Sequence, residues 1–139
     1  EEFINNILNT IHDSYLNGPK PGNDRLQNNI NIRFDYIEGE SLLLRLDDAG
    51  FEVSTGSACS SKSLDPSPTL IAIGLKPEQA HGSIRITLSK YIKKKHLDKL
   101  AKVLPKIVED LRKLSPLGKD VQRKSEKSLS APEKHGCLE

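Results

Sequence analysis

Two residues of this chain could carry chemistry at a defined place, Cys59 and Arg85. Cys59 lies in the run 53-VSTGSACSSKSLDPSPTL-70, among Ser, Gly, Ala, Asp and Pro rather than apolar neighbours. The other cysteine, Cys137, stands two residues from the end beside Leu138 and Glu139, and we read it as incidental. Two cysteines so far apart make neither a disulfide framework nor a metal-ligand cluster, so no metal is expected. Cys59 is then a free thiol whose explanation is burial or catalysis. Buried and inert is the commoner state of such a thiol, and reactivity needs exposure and a stabilised thiolate. The small polar neighbours offer no local apolar pocket, and Gly56 with the serines leaves the backbone free. Arg85 adds a cation on the polar face of a strand that can lie beside the loop. An outward arginine is ordinarily solvated or ion-paired; its other use is a planar fork that grips a carboxylate through two hydrogen bonds. Residue type alone leaves both choices open.

The elements that would position these residues are legible from hydrophobic periodicity. Phe3, Ile4, Ile7, Leu8, Ile11 and Tyr15 have the spacing of an amphipathic helix over 3–16, stopped by Asn17-Gly18-Pro19. Ile30, Ile32, Phe34 and Tyr36 alternate with Asn31, Arg33 and Asp35, the pattern of a half-buried strand. A helix over 40–48 follows, with Gly50 as its stop, then a short strand over 51–54 that leads into the cysteine loop. A brief helix over 69–75 ends at Gly74, and Ile84, Ile86 and Leu88 alternate with Ser83, Arg85 and Thr87 in a further strand. Leu97, Leu100, Leu104, Ile107, Leu111 and Leu114 line one side of a long helix over 94–114, which Pro105 should kink or break in two. The expected fold is α+β, a small three-stranded and mostly antiparallel sheet covered by helices.

Composition sets the bounds. The chain has 139 residues, 35% of them hydrophobic and 4% aromatic, which suits one domain with a modest core. No apolar run approaches the ~20 residues of a membrane span, and the start does not resemble a signal peptide. A cytoplasmic protein without membrane contact is expected. Residues 119–139 are rich in Lys, Ser, Glu and Pro and read as a disordered polar tail. The chain opens at Glu1 and contains no methionine, which suggests a processed or truncated piece. Residues 1–89 are net acidic, whereas 90-KYIKKKHLDK-99 is basic. The bland account of that segment is a solvated helix start. It has no stacking aromatics or Gly-rich RNA motif beside it, so nucleic acid is not the expected partner.

The runs 39-GESLLLRLDDAGFEVSTGSACSSKSLDPSPTLIAIGL-75, 80-AHGSIRITLSKY-91 and 112-RKLSPLGK-119 together resemble the C-terminal part of pyridoxal-phosphate-dependent cysteine desulfurases. These are the NifS/IscS-like enzymes of the class V aminotransferase group. The most specific element is 55-TGSACSS-61 with 80-AHGSIR-85 some twenty residues on. The resemblance implies that residues 1–118 form the small C-terminal domain of a fold-type I pyridoxal phosphate enzyme, with a mobile catalytic loop over 55–68. Cys59 would take sulfur from L-cysteine as a persulfide, with release of L-alanine, and Arg85 would hold the substrate carboxylate. His81 also matches and is assigned a structural role. The long loop after Cys59 resembles the subclass that passes sulfur to iron–sulfur scaffolds or other acceptor proteins, and the intact enzymes of this kind are homodimers. Pyridoxal phosphate would be held by a large domain and not by this chain, which has neither a lysine in a Schiff-base setting nor a Gly-rich phosphate cradle; the chain alone should therefore be inactive. The sequence departs from the family at Ser89-Lys90, where a Gly-Arg pair is usual, and at 93-KKKH-96, where the family is acidic. A non-enzymatic persulfide carrier, or a degenerate partner module lacking the cofactor, is the alternative.

Overall fold

The computed structural model describes residues 1–55 and 65–115. Cys59, most of the loop around it, Cys137 and the tail over 119–139 lie outside these residues. In chain order the elements are α1 (Glu2–Thr10), β1 (Ser14–Leu16), β2 (Asn29–Phe34), α2 (Gly39–Asp48), β3 (Ser54–Thr55), α3 (Pro68–Ala72), α4 (Pro77–His81), β4 (Ser83–Thr87) and α5 (Lys94–Leu114). The α+β expectation holds. The strands form one antiparallel sheet in the order β1-β2-β4-β3.

The alternation in β2 and β4 divides that sheet into two chemically distinct faces. Ile30, Ile32, Phe34, Ile84 and Ile86 face the core, where they meet Phe3, Ile4 and Ile7 of α1, Leu42 and Leu46 of α2, and Leu100, Leu104, Ile107 and Val108 of α5. Asn29, Asn31 and Arg33 alternate with the core residues along β2, and their register partners on β4 are Thr87, Arg85 and Ser83. Paired residues share a face, so the side of the sheet away from these helices is polar throughout.

The sheet has four strands rather than three, because the helix expected over 3–16 ends at Thr10. Ile11 and Tyr15 keep the helical spacing, but Ile11 is already extended (φ −107°) and Asp13 is left-handed (φ 51°). The hydroxyl of Ser14 donates to the Ile11 carbonyl at 2.6 Å and closes the turn, a local bond that competes with helix. Tyr15 is 43% exposed and lies under the Arg33 guanidinium, 4.1 Å from ring centroid, rather than in the core. The strand expected over 51–54 is reduced to Ser54–Thr55, with Phe51 and Val53 packed against the core from an irregular stretch. Pro105 does not break α5, which is continuous over 21 residues; the apolar stripe buried against the sheet outweighs one missing backbone bond.

Two glycines permit close approaches beside β4. A Cβ on Gly82 would lie 2.6 Å from the Phe34 carbonyl oxygen and 3.2 Å from that of Ile37. One on Gly39 would lie 2.8 Å from the His81 carbonyl oxygen and 2.9 Å from that of Ser83. Both contacts are with backbone, so α2, the end of β2 and the start of β4 pack at a separation that only glycine allows.

Candidate functional site

Arg85 is exposed at the middle of β4 and has a strand on either side. Its register partner on β2 is Asn31, and on β3 it is Ser54. It opens into a cleft of about 340 Å³ whose walls also include Asn17, Arg25, Asn31 and, from the start of α3, Ser67 and Leu70. Ser67 is buried, and its side chain makes no capping bond to α3.

These positions locate the ends of the cysteine segment. Ser54, five residues before Cys59, lies opposite Arg85, and Ser67, eight residues after it, lines the same cleft.

The wall facing α3 is built from the connection between β1 and β2, and Arg25 organises it. Its Nε donates to the Pro19 carbonyl at 2.6 Å, Nη1 to that of Asn29 at 3.0 Å, and Nη2 to that of Asn17. A planar guanidinium can serve three carbonyls in one plane, which an ammonium cannot. Burial pushes the Arg25 pKa down. Beside it, Asn17 is buried and donates through Nδ2 to Asn31 Oδ1 at 2.7 Å and to Ser83 Oγ at 3.0 Å. The Ser83 hydroxyl donates onward to the Gln79 carbonyl at 2.9 Å, joining α4 to the network. Asn29 also lines the cleft, and its Oδ1 is buried with no hydrogen-bond partner among the described residues.

His81 ends α4 and is exposed; its side chain is not among those lining the cleft. Lys90, Lys93, Lys95 and Lys99 of the basic segment are exposed, and Lys94 pairs with Glu2 at 2.7 Å. That pair lowers the Glu2 pKa and raises that of Lys94, through the shared hydrogen bond first and the charge second. No group of three or more His, Cys, Asp or Glu able to hold a metal comes together among the described residues, and no described helix is long and apolar enough to cross a membrane.

The cleft presents several donors that could meet a small anion, the Arg85 guanidinium, a second guanidinium behind one wall, and amide and hydroxyl groups, although the Asp24 carboxylate and the Asn29 Oδ1 also line it. Among the described residues that line it there is no lysine, so these residues do not fit a cofactor held as a Schiff base such as pyridoxal phosphate. Periodicity singled out Arg85 but missed Asn17, Arg25 and Asn31. The polar phase of β2 was a usable signal for Asn31. Nothing local marks Asn17 beyond a helix stop, because its partners are distant in sequence.

Residues 1–100 match the family described as Aminotransferase class-V. The chain is 53% identical over 117 residues to a protein named cysteine desulfurase IscS 1 from Archaeoglobus fulgidus, an alignment covering 84% of this chain and 30% of that protein. It is 55% identical over 114 residues to cysteine desulfurase IscS from Dictyoglomus turgidum, covering 82% and 28% respectively. A solved structure described as a NifS-like protein superposes with a TM-score of 0.64 at 25% identity, over 79% of this chain and 26% of that one. The NifS-like protein from Rickettsia africae shares the fold, with a TM-score of 0.60 at 21% identity, over 78% and 28%. The chain thus spans a little under a third of the curated relatives it matches.

Proposed function

The chain belongs to the aminotransferase class-V family, and we propose that residues 1–118 are the small domain of a cysteine desulfurase that delivers the sulfur of L-cysteine through Cys59. The observation that carries this reading is the convergence on Arg85: the strand before Cys59 pairs Ser54 with Arg85, and the helix after it lines the cleft that Arg85 opens into. In this reading Arg85 grips the substrate carboxylate, because a fork of N–H donors matches a planar carboxylate in two bonds. The Cys59 thiolate takes the substrate sulfur as a persulfide, the carbon skeleton leaves as L-alanine, and the bound sulfur passes to an acceptor protein such as an iron–sulfur scaffold. A segment of small residues between two fixed ends suits a thiol that must visit both a substrate and an acceptor. The family's pyridoxal phosphate would be held outside this chain, in an intact homodimeric, cytoplasmic enzyme.

The test is Cys59→Ser in the full-length, cofactor-loaded protein. Release of alanine and sulfide from L-cysteine should cease, since an oxygen nucleophile cannot form the sulfur–sulfur bond, while Cys137→Ser should be silent. Full turnover by the Cys59 variant would remove that residue from the reaction. Persulfide accepted from a donor, with no alanine formed from cysteine by the unsubstituted protein, would instead make this a carrier.

A further inference from the structure

Resting on the reading of Arg85 as the carboxylate site, we propose that Asn31 is a second carboxylate-binding residue, its amide locked with the NH2 group available to the cleft. Asn31 and Arg85 are register partners on β2 and β4, and both line the cleft. Cross-strand partners have Cβ atoms roughly 4.5–5.5 Å apart, close enough for both side chains to reach one carboxylate.

Counting protons along the network fixes which end of the amide is free. The Gln79 carbonyl can only accept, so the Ser83 hydroxyl spends its one proton there, at 2.9 Å. Ser83 Oγ must then accept from Asn17, which requires Asn17 to present Nδ2 rather than Oδ1, at 3.0 Å. The same Nδ2 lies 2.7 Å from the Asn31 side chain and is again the donor, so Asn31 must offer Oδ1. With that oxygen engaged, Asn31 keeps two N–H donors, and no described residue takes a hydrogen bond from them. The lock is itself held in place. Asn17 is buried, its main-chain N–H donates to the Asn31 carbonyl at 2.9 Å, and its own carbonyl accepts from Arg25. A carbonyl on α4 therefore sets the polarity of a side chain two strands away. The polar groups of the Arg85–Asn31 pair left for a ligand are then all donors, which selects an anion and rejects its uncharged analogue.

The experiment uses the full-length, cofactor-loaded protein and compares L-cysteine with cysteamine, the same molecule without its carboxylate. Half-saturation by each is read from the visible spectrum of the bound cofactor. Asn31→Asp keeps the acceptor for Asn17 but sets an anion beside the substrate carboxylate. It should raise the half-saturation concentration of L-cysteine at least tenfold and leave that of cysteamine within twofold. Asn31→Ser, a milder change that serves if the aspartate variant misfolds, keeps an acceptor and loses the amide donors; it should raise the L-cysteine value about three- to tenfold, again selectively. Arg85→Lys separates this inference from the reading beneath it. A selective loss in Arg85→Lys without one in either Asn31 variant overturns the role of Asn31 alone. Equal shifts for both ligands, or none, in all three variants overturn the carboxylate site itself.

Discussion

Replacing Arg25 by alanine should loosen one wall of the cleft without unfolding the core. The guanidinium donates to three main-chain carbonyls, those of Pro19 (2.6 Å), Asn29 (3.0 Å) and Asn17, and so ties together both ends of the segment between β1 and β2. A hydrogen bond contributes about 0.5–1.5 kcal/mol net, and more when one partner is charged. The bond to Pro19 is exposed, and water replaces it readily; the other two are partly buried. The loss should therefore come to about 2–3 kcal/mol, confined to the segment and not spread over the fold. Arg25→Lys should recover under half of it, since one ammonium cannot serve three carbonyls arranged around a plane. Native-state hydrogen exchange in the full-length protein reads this locally. The amide of Asn17, bonded to the Asn31 carbonyl, and that of Asn29, bonded to the Leu26 carbonyl, should exchange roughly 30- to 150-fold faster in Arg25→Ala, at 1.36 kcal/mol per tenfold. Core amides of α5 should be unchanged. Exchange at Asn17 and Asn29 within twofold of the unsubstituted protein would refute the clamp.

Arg85→Lys should weaken use of L-cysteine by roughly 1.5–3 kcal/mol, the worth of one charge-assisted hydrogen bond; in steady-state kinetics that is a KM about 10- to 150-fold higher, and an unchanged KM would return Arg85 to the solvated surface. Gly82→Ala should cost at least about 2 kcal/mol in urea unfolding, because its Cβ would sit 2.6 Å from a carbonyl oxygen fixed in β2; a shift below 0.5 kcal/mol would mean that the backbone there gives way. The Glu2–Lys94 pair lowers the Glu2 pKa, so its contribution is present above the unfolded carboxylate pKa and fades as pH falls through the lower folded value. The Lys94 pKa is raised, so the alkaline loss comes as pH rises through that folded value. Both side chains are largely exposed, and Glu2→Gln should leave neutral-pH stability almost unchanged while returning the Lys94 titration, followed by NMR, to its ordinary range.

The parts legible in the sequence were those in which burial follows a local period. Ile30, Ile32 and Phe34 in β2, Ile84 and Ile86 in β4, and Leu100, Leu104 and Ile107 in the middle of the α5 stripe bury as their spacing requires, whereas Leu97 and Leu111 are half-buried and Leu114 is exposed. β1 was hidden because Ile11 and Tyr15 imitate a helical i, i+4 pair, while the extended Ile11, the left-handed Asp13 and the Ser14–Ile11 bond end the helix between them. Of the two outcomes expected at Pro105, the break does not occur, since the proline's cost is local while the packing that overrides it spans the helix. For the site, Arg85 could be singled out from its place on the polar phase of a strand. The Asn17–Asn31–Ser83 network could not, because it joins residues up to 66 positions apart through a register that no local pattern encodes.

The place where the substrate sulfur first comes to rest decides the role of Cys59. The full-length, cofactor-loaded protein should be mixed with L-cysteine in the absence of reductant or acceptor, quenched, digested without reduction and mapped by mass spectrometry. The peptide containing Cys59, and not the one containing Cys137, should gain the mass of one sulfur atom, in step with the alanine released and not at all in Arg85→Ala. Alanine formed at full rate with the Cys59 peptide unmodified would contradict that role.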